Sequence, residues 1–173
     1  MKKLFLAILW GLMMSSYIDS ERLFNSTLSE AVEALDPLFS KYKMNVSGGG
    51  GYIGYDIGHI ALSVNVYKQV TVDEARRIYV EILDAIVERI NKDKKLRPYL
   101  REYPMTYRLV DLSLSFVDEK THYPPKEYVY YMYKYDVLFF RGYDVVKNNF
   151  VDLHREDFSE TLKILEKEKE GQK

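Results

Sequence analysis

Cysteine is absent from the 173 residues, which removes disulfides, thiolate nucleophiles and cysteine-ligated metals together. A basic surplus is missing as well. With 25 Lys and Arg against 26 Asp and Glu, the chain lacks the positive field that nucleic-acid partners require. No apolar run approaches the roughly 20 residues of a membrane-spanning helix. Histidine occurs only three times, and no motif calls for a cofactor. A domain of this kind must be held by its apolar core.

What is present begins with Lys2 and Lys3, an apolar run of eleven residues from Leu4 to Met14, and then Ser15 and Ser16. Charged, apolar and small-residue regions in that order predict a secretory signal over 1–16. An uncleaved anchor is the alternative. The missing cysteine excludes lipoprotein-type lipidation. Cleavage would leave 157 residues and move the formal charge from −1 to −3, enough chain for one domain. The expected layout is a signal over 1–16, a helical segment over 17–47, an α+β domain over 48–168 and a charged tail over 169–173. The protein is then exported, periplasmic or secreted, with no transmembrane span after processing.

The organising stretch runs from Thr71 to Phe116. Thr71 and Glu74 have the spacing of a reciprocal capping box. Ala75, Ile78, Tyr79, Ile82, Leu83, Ile86, Val87 and Ile90 follow at intervals of three and four, an amphipathic helix with one buried face. Pro98 suits the first turn of a short second helix. Val110, Leu112, Leu114 and Phe116 then alternate with Asp111, Ser113 and Ser115, a strand with one wet face. Ile60 to Val66 alternates in the same way. Tyrosine-rich segments at 127–133 and 137–143 predict two more strands, reversing at Lys134-Tyr135-Asp136. Thr27 with Glu30 and Asp157 with Glu160 are further capping candidates, and Pro37 should end or kink the first helix near Asp36. The expected fold is α+β: a four-stranded antiparallel or mixed sheet with helices on one face, preceded by an N-terminal helix.

Four groups of residues are candidates for function. Gly48 to Gly51 is the first, and Gly49, Gly51 and Gly54 formally satisfy a dinucleotide fingerprint. That fingerprint needs a strand before it and a helix after it, the reverse of the order here. The glycines are read as a flexible connector or a place of close backbone packing, with a ligand-contacting loop at Gly49, Gly50 and Gly51 as the alternative. The second group is Asp152, His154 and Glu156, alternate residues that a strand would put on one side, with His122 as a fourth donor. A leader into a helix cap explains them more simply than zinc, so no metal site is assigned. Arg97, Arg101 and Arg108, with Arg76 and Arg77, are the third, as an anion clamp or as solvated surface charge. The fourth is tyrosine, 16 in all. Tyr131, Tyr133 and Tyr135 share one strand face and Tyr128 and Tyr130 the other, so both faces cannot be core. One aromatic face is left over for a partner.

The run of glycines, the strand ending in ALSV, DEARRIYVEILDAIVERIN, LRPYLREYP, a further strand and HREDFSETLKIL together resemble a group of small exported proteins common in chlamydia-like bacteria. The likeness spans roughly residues 35–165. It implies the fold and export, and brings no activity and no functional residues with it. Met105 stands where that group has Phe.

From these readings the expected function is an exported, non-enzymatic module that recognises a protein or cell-envelope component through Tyr131, Tyr133 and Tyr135. The alternative is a small-ligand-binding protein or hydrolase using the Gly48–Gly51 loop with His59 or His154.

Overall fold

A computed structural model describes residues 22–53 and 56–170; the expected signal lies outside them. The fold is α+β. A first helix, α1, occupies 22–33, and α2 follows at Asp36–Tyr42 with Pro37 in its first turn. Strands β1 (Met44–Ile53) and β2 (Ile57–Val66) lead to the long helix α3 (Val72–Lys92). After two short 3-10 turns come β3 (Val110–Phe116), β4 (Tyr131–Lys134), β5 (Leu138–Asp144) and β6 (Asn149–Glu156). Helix α4 (Phe158–Glu170) closes the described chain. None of these helices is long and apolar enough to cross a membrane.

The strands form one sheet in chain order, β1 to β6. Every neighbouring pair is antiparallel except β2 and β3, which are parallel and joined through α3. Six strands replace the expected four, and the class of a mixed sheet with helices stands. The two additional strands are the edges. Residues 44–47, expected to continue the N-terminal helical segment, begin β1.

Helix α3 starts as its sequence demands. Glu74 N–H donates to Thr71 Oγ1 at 3.3 Å and Thr71 N–H donates to the Glu74 carboxylate at 3.0 Å. Ala75, Ile78, Tyr79, Ile82, Leu83, Ile86 and Ile90 are buried on one stripe. They form one core with Ile60, Leu62, Val64 and Val66 of β2 and Val110, Leu112, Leu114 and Phe116 of β3. Ala31, Leu35 and Leu38 add the first two helices to it. Thr27 does not cap a helix: it is buried within α1, where its hydroxyl donates to the Leu23 carbonyl at 2.7 Å.

Glycines 48 to 51 are strand, not loop or connector. They lie in β1, paired through backbone with Ser63, Leu62, Ala61 and Ile60. Close packing is the reason at two of them. A Cβ at Gly49 would meet Leu28 of α1 at 2.7 Å, and one at Gly51, whose φ is +152°, would meet the His59 carbonyl oxygen at 2.3 Å. The sheet's own hydrogen bonding here overrides the poor strand propensity of glycine.

A buried ion pair binds the far edge to α3. Arg76 Nε and Nη2 donate to the two carboxylate oxygens of Glu156 at 2.8 and 2.7 Å, and Thr161 Oγ1 donates to Glu156 at 2.6 Å. The two charged side chains are 5 % and 1 % exposed. Arg76 thus does hold an anion, an internal one.

Candidate functional site

The four described helices contribute to one side of the sheet, and the register defines the other. Successive residues of a strand alternate sides, so the partners of the wet positions of β3 share the open face. Two rows cross it. One joins Asn45, Asn65, Ser115, Tyr131, Arg141 and Asp152; the next joins Gly48, Ser63, Ser113, Tyr133, Phe139 and Arg155. Gly50, Ala61 and Asp111 form a third, shorter row.

The two halves of this face differ. Over β1 to β3 the outward side chains are absent, small or neutral, and a trough of about 470 Å³ lies there. Gly48, Gly50, Ala61 and Ser63 form much of its floor, with Asp111, Ser113 and Tyr133 beside them. Ser63 Oγ and Ser113 Oγ are 2.9 Å apart and hydrogen-bonded. His59 Nε2 is in contact with the Asp111 carboxylate, without the alignment of a hydrogen bond. Lys134 borders the trough, but its ammonium donates to the Tyr107 carbonyl at 3.0 Å. Burial lowers its pKa, against a smaller upward pull from Asp111.

Over β4 to β6 the face is aromatic. Tyr133 stacks on Phe139 with centroids 5.0 Å apart and planes 9° from parallel, and Tyr131 lies 5.4 Å from Tyr133. Ring contacts continue from Tyr131 to Phe150, Tyr143, Tyr130 and Tyr123. Arg155 sits 5.0 Å over the Phe139 ring and Arg141 4.8 Å over Phe150. Asp152 binds both arginines, which holds its own pKa below the usual carboxylate value.

Of the residues expected from sequence, Gly49, Gly50 and Tyr133 meet around one trough, with Tyr131 in the adjoining row. Gly51 turns its crowded side to β2 and is a packing residue. Tyr135 does not join the ridge: β4 ends at Lys134, and Tyr135 stands in the reversal, 79 % exposed. The remaining arginines each have a separate neighbour within the chain. Arg101 pairs with Asp56 at 2.8 Å, Arg108 with Glu102, and Arg97 lies 4.5 Å over the Tyr103 ring. Arg77 reaches Glu168 at 3.3 Å.

The Asp152, His154 and Glu156 set is divided by a bulge. Phe140 pairs with His154 but Arg141 with Asp152, so Leu153 is an extra residue and Asp152 leaves the side of the other two. His154 Nε2 is 2.9 Å from Glu156, whose carboxylate is already held by Arg76. His154 cannot act with the glycines either. They lie on opposite edges of the sheet, about 24 Å apart at five strand spacings of about 4.8 Å.

Sequence reasoning missed Ser63, Asp111 and Ser113 as trough residues, and Phe139 as the support of Tyr133. Their signal was there in the alternation of two strands whose wet positions are all small or short. Compared with protein-family models, curated proteins and solved structures, the chain matches none, so its own geometry carries the functional reading.

Proposed function

We propose that the protein is an exported binding module that recognises a protein or cell-envelope component through the open face of its sheet. Tyr131 and Tyr133 are its principal contacts. The observation that carries this reading is the half-buried, mutually stacked aromatic ridge standing directly beside a trough floored by glycine, alanine and serine. Rigid aromatic rings bring large contact area at low entropic cost, and a concave neighbour lets a ligand bury it. The test is a Tyr131→Ala, Tyr133→Ala double variant in an envelope co-sedimentation assay. Loss of association by a variant with unchanged circular dichroism supports the proposal; undiminished association refutes it.

One observation favours turnover as a second reading: the contact of His59 with Asp111 at the end of the trough. An imidazole beside a carboxylate is part of a general-base arrangement. Hydrolysis that disappears in His59→Ala would establish it, and turnover independent of His59 would eliminate it.

A further inference from the structure

The glycines of β1 divide into two classes. Gly49 and Gly51 are crowded, because a Cβ at Gly51 would strike the His59 backbone and one at Gly49 would have to displace the end of the Leu28 side chain. Gly48 and Gly50 are not. A Cβ at Gly48 would make an ordinary 3.7 Å contact with Ser63, and one at Gly50 would meet no atom of the described residues within 4 Å. The empty positions face the trough, and their effect is to lower its floor beside the Tyr133 ring. Packing among the described residues therefore gives no reason for glycine at either position, whereas room for an incoming molecule does.

The chemistry of the trough narrows what that molecule is. Ser63 and Ser113 use one proton in bonding to each other, leaving a second hydroxyl proton and free lone pairs to present outward. Asn65 and Ser115 continue the neutral polar row towards Tyr131. Asp111 is the one carboxylate among the described residues that line the trough, and the Lys134 ammonium is turned to the Tyr107 carbonyl. Arg141 and Arg155 are held by Asp152. An anionic ligand would meet the Asp111 carboxylate with only the His59 imidazole beside it, and a purely apolar one would leave buried hydroxyls unpaired at a cost. An uncharged molecule dense in hydroxyls, with one C–H-rich side to lie on an aromatic face, satisfies every group. Tyr133, fixed by its stack on Phe139, offers such a face in advance of binding.

We infer that the trough between Gly50 and Tyr133 binds an uncharged oligosaccharide segment, its hydroxyls on Ser63, Ser113 and Asp111 and its C–H face on Tyr133. This rests on the open-face reading above and names the ligand class for it. A peptide strand is less well served. Its backbone donors and acceptors would lie over a floor of small side chains, while the unpaired backbone groups of the described sheet lie at its edges, β1 and β6, and not in the trough.

The experiment uses the intact protein and envelope material from its own cells, divided into aliquots treated with periodate and borohydride or with protease. Periodate cleaves carbon–carbon bonds between vicinal hydroxyls, so it destroys a hexose chain whose rings carry adjacent free hydroxyls and spares a peptide backbone. The expected result is about a tenfold or greater loss of bound protein after periodate, the scale of one or more good contacts, with no loss after protease. Gly50→Val, which the open space at that Cβ lets fold, should lose binding by a similar factor, and soluble cellotetraose or maltotetraose should compete. Loss after protease with survival of periodate would overturn the oligosaccharide and leave the open-face reading intact. Full binding by Gly50→Val would overturn the trough as the site. Full binding by the Tyr131→Ala, Tyr133→Ala protein would overturn both.

Discussion

Removing one member of the Arg76–Glu156 pair should cost far more than its place in the sequence suggests. Both side chains are almost wholly buried, and their two hydrogen bonds are joined by one from Thr161. Glu156→Ala leaves the guanidinium buried with only Asp73, at 2.5 Å, to answer it. Breaking such a pair from one side costs about 3–5 kcal/mol, a large part of the 5–15 kcal/mol that holds a typical domain together. At about 2–4 °C per kcal/mol for a chain of this length, Tm should fall by roughly 10 °C. Arg76→Met with Glu156→Leu removes both charges and should recover most of the loss, since a hydrophobic replacement of a buried pair is often neutral. Calorimetry of the two single variants and the double variant measures this. Equal or additive losses in the double variant would refute the reasoning, as would a single-variant loss below about 1 kcal/mol. The pH dependence has a definite sign. Burial pushes the Glu156 carboxyl up, but Arg76, Thr161 and His154 together hold it below its ordinary 4.5. Its stabilisation is thus fully present above about pH 4.5 and is lost as pH falls through the lower folded value.

Three further outcomes follow from local geometry. Gly51→Ala should cost about 1–3 kcal/mol through its positive φ and the His59 carbonyl, whereas Gly50→Ala should change stability by about 0.5 kcal/mol or less; urea unfolding separates them. Thr71→Ala removes the cap of α3 and should cost about 1 kcal/mol in the same assay, with Thr71→Ser retaining most of it. The hydrogen bond to Asp84, aided by burial, pushes the Tyr107 phenol up to about 12; ring-carbon resonances should show it titrating there and at lower pH in Asp84→Asn.

Much of the fold was legible where the signal is local. The Thr71–Glu74 box and the three-and-four spacing from Ala75 to Ile90 mark α3, and the alternation of 60–66 and 110–116 marks the central strands. The edges were not legible. Glycines 48 to 51 carry no side chains to alternate, and only pairing with β2 makes them strand. In β6 the Leu153 bulge breaks the period, and most of its residues are exposed. Period-two spacing placed Tyr131 and Tyr133 together correctly, but it could not show that the strand stops before Tyr135. Arg76 looked like surface charge because its partner is 80 residues away. The trough was half visible: its glycines stood out, while Ser63, Asp111 and Ser113 read only as a solvated strand face.

The open-face reading is tested most directly by hydroxyl-radical footprinting of the protein with and without envelope material, followed residue by residue. Tyr131 and Tyr133 should be protected and Tyr135, which stands outside the ridge, should not change. Protection confined to the helices or to Tyr135, with Tyr131 and Tyr133 equally reactive in both states, would contradict it.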